Sequence, residues 1–190
     1  MSATYPATPL TPEAYLEWEK TQPEKHEYLN GNVYAMVEAR DAHVTVAGNA
    51  FALLREHLRG GPCRAFISDM KLRVEQGNAF FYPDVFVTCD PRDLVEEYFK
   101  RYPVLVIEVL SDTTAAFDRG RKFALYRRLE SLREYVLIDP DSFTVDCFRR
   151  DDSGHWVLFA YEGEAVAEFD SVDFKVALAL LFENVERTDR

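Results

Sequence analysis

The sequence predicts one α+β domain: a mixed β-sheet flanked by helices, with a β-hairpin near the N-terminus and a β-meander near the C-terminus. Three observations predict it. Asn30-Gly31 separates the short runs Glu27-Tyr28-Leu29 and Val33-Tyr34, as a tight hairpin requires. Val46, Ala50, Phe51, Leu54 and Leu58 recur at intervals of three and four, the apolar face of an amphipathic helix. Val104 to Leu110 is apolar except for Glu108, which reads as a buried strand. A carboxylate in such a strand is costly to desolvate unless something compensates it.

The elements follow in order. Thr11-Pro12-Glu13 starts a helix, with a threonine cap, proline at the first position and an acid in the first turn, and the helix runs to about Lys20. His26 to Met36 is the hairpin. Ala42 to Arg59 is the amphipathic helix, stopped by Gly60-Gly61-Pro62. Arg64 to Ser68 and Met70 to Glu75 are short strands, and Gly77-Asn78 turns into a long strand from Ala79 to Cys89. Pro83 cannot donate to a ladder, so that strand is kinked, bulged or at an edge there. A short helix is expected from Arg92 to Phe99. The buried strand then leads through Ser111-Asp112-Thr113-Thr114 into a helix from about Ala116 to Leu129. Glu134 to Ile138 is a strand, Thr144 to Arg149 and His155 to Tyr161 form a hairpin, and Ala165 to Phe169 is a further strand. Val176 to Glu183 reads as an apolar helix, and Glu186 to Arg190 should fray.

Composition bounds the function. The 190 residues, 47% hydrophobic and 29% charged, suit a single soluble domain over 1–190. No apolar run approaches the roughly 20 residues needed to span a bilayer. The opening Met-Ser-Ala-Thr-Tyr-Pro lacks a basic and an apolar signal region, so a cytoplasmic protein is expected. Cys63, Cys89 and Cys147 are odd in number and scattered, which is read as neither a disulfide framework nor a zinc site. The net charge of −11 opposes long-range attraction to nucleic acid. A local basic run from Arg119 to Arg133 stands against that, and also reads as a solvated helix face.

Side chains alternate along strands, so Asp84, Phe86 and Thr88 share one face, and Val104, Val106, Glu108 and Leu110 share another. If the two strands are neighbours, Asp84 and Glu108 converge at one end of the sheet. Paired carboxylates repel unless they share a proton or bind a cation. A hard divalent ion such as Mg²⁺ accepts such oxygens, and the Val109 carbonyl offers a third. Lys122, on the following helix, would orient an attacking water or stabilise charge developing on a phosphoryl group. The same residues also have accounts without a metal. Asp84 suits a turn after proline, Glu108 a buried ion pair, and Lys122 an i,i+4 partner of Asp118.

Four strings, Tyr82 to Asp90, Pro103 to Ser111, Asp118 to Tyr126 and Arg133 to Pro140, together resemble the Uma-type "putative restriction endonuclease" family of bacteria. Ser68-Asp69-Met70-Lys71 and the His26 to Gly31 hairpin extend the resemblance over about residues 10–185. It implies a restriction-endonuclease-like fold of the PD-(D/E)XK superfamily, with Asp84 as the PD aspartate and Glu108 as the second acid. The lysine expected two positions after that acid is absent, since Leu110 stands there, and the resemblance assigns its role to Lys122. Glu27 matches an acidic position of the hairpin, as a further carboxylate of the site or as a solvent-facing residue. His43 matches a histidine position and is read as a helix-start or packing residue. Asn30 and Asn32 replace acids usual in the family and leave the turn chemistry intact.

The resulting expectation is an endonuclease hydrolysing DNA phosphodiester bonds, dependent on Mg²⁺ with Mn²⁺ as substitute. Asp84, Glu108 and Val109 would hold the metal, and Lys122 and Glu27 would complete the catalytic set. A nuclease-fold protein that binds or assembles without cutting is the alternative, and a two-carboxylate glycosidase is a third. A homodimer is expected, with Ala177 to Phe182 either docking a partner or covering its own core.

Overall fold

The computed structural model describes residues 3–4, 8–36 and 38–186, so the expected fraying lies, at 187–190, outside the described residues. The chain opens with β1 (Ala3–Thr4) and α1 (Pro12–Glu19), where Thr11 Oγ1 accepts from the Ala14 N–H at 3.2 Å. The hairpin β2 (His26–Leu29) and β3 (Asn32–Ala35) turns through Asn30 at φ 51° and Gly31 at φ 90°. Positive φ at both central positions matches the twist of the paired strands. Then come α2 (Asp41–His57), β4 (Arg64–Ile67), β5 (Lys71–Val74), β6 (Ala79–Phe81), β7 (Val85–Thr88), β8 (Phe99–Lys100) and β9 (Pro103–Val109). The second half comprises α3 (Ala115–Phe117), α4 (Phe123–Tyr126), β10 (Glu134–Asp139), β11 (Thr144–Arg150), β12 (Trp156–Tyr161), β13 (Val166–Phe169), β14 (Phe174–Ala177) and α5 (Leu178–Leu181).

The strands divide between two mixed six-stranded sheets, ordered β1-β3-β2-β6-β5-β8 and β12-β11-β10-β9-β7-β4, while β13 and β14 pair with each other. The long strand expected from Ala79 to Cys89 is cut at Tyr82-Pro83-Asp84, and its halves lie in different sheets. Proline's missing N–H is tolerated because it falls at this corner. Ser68-Asp69 makes the same transfer between β4 and β5. The seam between the sheets therefore passes beside Asp84.

The β9 pattern explains the layers. Leu105, Ile107 and Val109 join Val46, Ala50 and Leu54 of α2 in one core, with Val85, Val87, Val136 and Ile138. Val106 and Leu110 face the opposite way, into a second core with Phe86, Tyr135, Phe123, Leu125 and Tyr126. Burial of an apolar side chain contributes roughly 1.5–3 kcal/mol, so β9, buried on both faces, is held from both sides. Its alternation sends Glu108 into the second layer.

Three expectations are corrected. Cys63 and Cys89 form a disulfide. β4 and β7 are antiparallel with Arg64 opposite Thr88, so the cysteines occupy the next facing positions. Their separation in sequence concealed that pairing. The helix expected over Arg92 to Phe99 shrinks to a 3₁₀ turn at Pro91–Leu94. The Asp93 carboxylate instead takes the Thr88 hydroxyl at 2.7 Å, the Arg101 N–H at 2.8 Å and the Tyr102 N–H at 3.1 Å, which folds the segment back. Val176 and Ala177 belong to β14, where Phe174 and Val176 are buried and Lys175 is exposed, a period of two. Leu178, Leu181 and Phe182 are spent in the first core, so the segment covers its own protein. Among the described residues no helix is long and apolar enough to cross a membrane.

Candidate active site

β7 and β9 are antiparallel with Val85 opposite Ile107, which makes Glu108 the residue facing Asp84 at the seam. Asp84 stands immediately before the first residue of β7. Its Oδ2 accepts from the Val109 N–H at 2.8 Å. That bond pins the carboxylate to the end of β9. The same oxygen lies 3.2 Å from Nε2 of His43, in the first turn of α2.

Lys122 arrives from the other layer. Between α3 and α4 the helix widens into a π-turn over Asp118–Lys122, and both end residues are buried. Such turns insert an extra residue and redirect side chains. Tyr135 holds the turn by donating to the Asp118 carbonyl at 3.0 Å. Lys122 Nζ lies 2.9 Å from Glu108 Oε1, 3.2 Å from Glu27 Oε1 and 3.5 Å from Asp118 Oδ1. The Tyr126 hydroxyl, one turn on, donates to the same Glu108 oxygen at 2.9 Å. Glu27 comes from β2 in the other sheet and also accepts the Tyr82 N–H at 3.3 Å. Its solvent-facing reading is excluded, because the residue is only 6% exposed.

The cluster carries an excess of negative charge. Burial pushes Glu108 well above the ordinary carboxylate pKa; Lys122 opposes this, while Asp118, Asp84 and Glu27 add to it. Glu27 is raised for the same first reason, burial, against Lys122 and the Tyr82 N–H. Burial alone would discharge Lys122, yet Glu108, Glu27, Tyr126 and Asp118 hold it well above its usual value. For His43 burial acts downward, and the hydrogen bond and charge of Asp84, with the Val109 backbone and Asp118, lift it above the normal histidine range. The lysine is thus fixed as a cation among acids that outnumber it.

These groups line a cleft of about 560 Å³ that includes Glu27, His43, Asp84, Glu108, Val109, Asp118 and Lys122. Five carboxylates there, Glu38 included, face two basic side chains. A divalent cation fits that imbalance, with Asp84, Glu108 and the Val109 carbonyl as hard oxygen donors. No group of three His, Cys, Asp or Glu among the described residues surrounds one metal position.

The sequence-derived set, Asp84, Glu108, Val109, Lys122 and Glu27, is brought to one cleft. His43, read from sequence as a helix-start or packing residue, lies in the first turn of α2 and contacts Asp84 directly. Asp118 enters as a third acid on Lys122. Their signals were the family histidine position and the i,i+4 spacing. Tyr126 gave no signal beyond its place on the helix, at the end of the family string from Asp118.

Comparison with known proteins places the chain in a wider group. The Uma2 family model, described as "Putative restriction endonuclease", matches residues 12–180. "Uncharacterized protein slr1290" of Synechocystis sp. is 38% identical over 184 residues, covering 97% of each chain. "Uncharacterized protein sll1609" of the same organism is 31% identical over 157 residues, covering 82% of this chain and 89% of that one. A solved structure from Anabaena variabilis, titled as a putative nuclease belonging to DUF820, superposes with a TM-score of 0.74 at 20% identity, over 92% of this chain and 98% of that one. At that identity the likeness shows a shared fold, which is α+β and restriction-endonuclease-like.

Proposed function

The chain belongs to the Uma2 family, and from that premise we propose that it is a Mg²⁺-dependent endonuclease that hydrolyses phosphodiester bonds in DNA. The observation carrying this reading is Lys122 at 2.9 Å from Glu108 in a cleft walled by Asp84. Asp84, Glu108 and the Val109 carbonyl would hold the ion, with Mn²⁺ as a substitute. When bound, the ion would lower the pKa of a coordinated water and offset charge on the phosphoryl oxygens.

The chain's own residues supply the remainder. Lys122, held protonated, is no proton acceptor; it stabilises developing negative charge and orients the water. Tyr126 fixes the Glu108 carboxylate, and Glu27 fixes the ammonium. His43 holds Asp84 in place from α2. The test is plasmid cleavage in Mg²⁺ or Mn²⁺ by the wild type beside Asp84→Ala and Lys122→Ala. Loss of cutting in both variants is expected, and equal activity in all three overturns the assignment.

One observation favours a second reading, binding without cutting. Glu27, Glu108 and Asp118 already share Lys122 as a counter-ion, so the cluster is held together by the protein alone. Calorimetric titration with Mg²⁺ separates the two, because the silent protein would take up no ion.

A further inference from the structure

Beside the acidic cleft lies a second one, of about 450 Å³, with the opposite sign. Lys20, Lys25 and Lys71 line it, together with Glu19, Glu24 and Tyr82. Tyr82 and Met36 border both clefts. Tyr82 is the partition: its N–H donates to Glu27 on the acidic side, and its hydroxyl donates to Glu19 Oε1 at 2.9 Å on the other. Lys71 Nζ stands 5.2 Å and Lys25 Nζ 5.8 Å from the centre of its ring. Asp84 follows two residues later.

The three lysines differ in what they already hold. Lys20 pairs with Glu17 at 2.7 Å, and Lys25 pairs with Asp69. Both pairs are partly exposed, and such pairs are worth little and exchange readily. Lys71 is half-buried on β5 and has no hydrogen-bond or carboxylate partner among the described residues. Burial lowers its pKa, and Lys20 and Lys25 lower it further, with Glu19 opposing. Glu19 is drawn elsewhere, since its Oε1 also accepts the His26 N–H at 2.8 Å. A protein of net charge −11 has little long-range pull on a polyanion, so local cations must supply it.

We propose that Lys71, flanked by Lys25 and Lys20, forms a subsite for a phosphate of the nucleic-acid backbone flanking the bond held in the acidic cleft. The assignment rests on the nuclease reading for its substrate. A compact ammonium suits a non-bridging phosphate oxygen as a point charge, and the bound anion would relieve the crowding of three cations.

The experiment is duplex-oligonucleotide binding by fluorescence anisotropy without divalent metal, across a salt series, for wild type, Lys71→Gln, Lys25→Gln and Lys71→Arg. Thermal melts confirm that each variant is folded. Lys71→Gln should weaken binding at least 5-fold and reduce the salt slope by about 1, and Lys71→Arg should restore both. In plasmid cleavage the Gln variant should raise KM and leave kcat unchanged. Wild-type affinity and slope in folded Lys71→Gln, from a protein that cuts, would overturn the subsite and leave the nuclease reading standing. Weakened binding in a protein that cuts nothing would sustain the subsite and remove the nuclease. A wild type that binds no DNA overturns the subsite as well.

Discussion

Lys122 Nζ contacts Glu108 Oε1 at 2.9 Å, joining the helix between β9 and β10 to the buried strand before it. The costly carboxylate of β9 is thereby compensated by a buried ammonium that Glu27 and Asp118 also contact. Removing one partner of such a buried pair strands the other's charge. Lys122→Met should therefore lower stability by about 3–5 kcal/mol, measured by urea unfolding. Adding Glu108→Gln should recover part of that loss, with a coupling of about 1 kcal/mol or more. Strictly additive effects would show that the contact is not energetically coupled.

The hairpin that carries Glu27 depends on Gly31. An added Cβ there would meet the Pro9 Cβ at 2.7 Å, at a φ of +90° that side chains resist. Gly31→Ala should cost about 1–3 kcal/mol. Gly120, in the π-turn, has open space around it, and Gly120→Ala should be neutral or stabilising by up to about 1 kcal/mol. Chemical denaturation of the two variants side by side decides this, and a larger loss at Gly120 would contradict it.

The Cys63–Cys89 cross-link spans 26 positions of sequence. Closing a loop of that length restricts the unfolded chain by about 3–4 kcal/mol. Unfolding with and without reductant, and in Cys63→Ser, should show a loss of that order. Coincident transitions would mean that the bond contributes nothing to stability.

Lys71 should titrate below ordinary lysines, because burial disfavours its charged form. The sign for stability follows. Below the folded pKa both states are protonated and the folded one bears the desolvation cost. Between the folded pKa and the unfolded value the unfolded state binds more protons, so this group's contribution rises with pH. Carbon-13 NMR of the lysine Cε resonances checks the shift, and a Lys71 that titrates with the other lysines would refute it.

Much of the architecture was legible because it rests on local signals. The Thr11 cap, the Asn30-Gly31 turn and the periodicity of α2 each depend on a few neighbouring residues. The break at Pro83 was legible too, although its consequence, a change of sheet, was not. The 3₁₀ turn at Pro91–Leu94 was missed because Asp93 is satisfied by Thr88, Arg101 and Tyr102, which lie outside any local window. The β14 strand was missed because its pattern is short and runs into the apolar residues of α5.

The sequence by itself determined the fold class and the family, and singled out Asp84, Glu108, Glu27 and Lys122, which the cleft brings together. Only the tertiary structure decided that Glu27 is buried against Lys122, that His43 binds Asp84, and that Cys63 meets Cys89. Each is a contact across elements or between sheets, set by strand register and by the π-turn. Register is fixed when whole faces bury together, so no single residue announces it. The compensation of Glu108 is the clearest case: the sequence showed that a counter-charge was needed, and the packing of a helix on the second core supplied it.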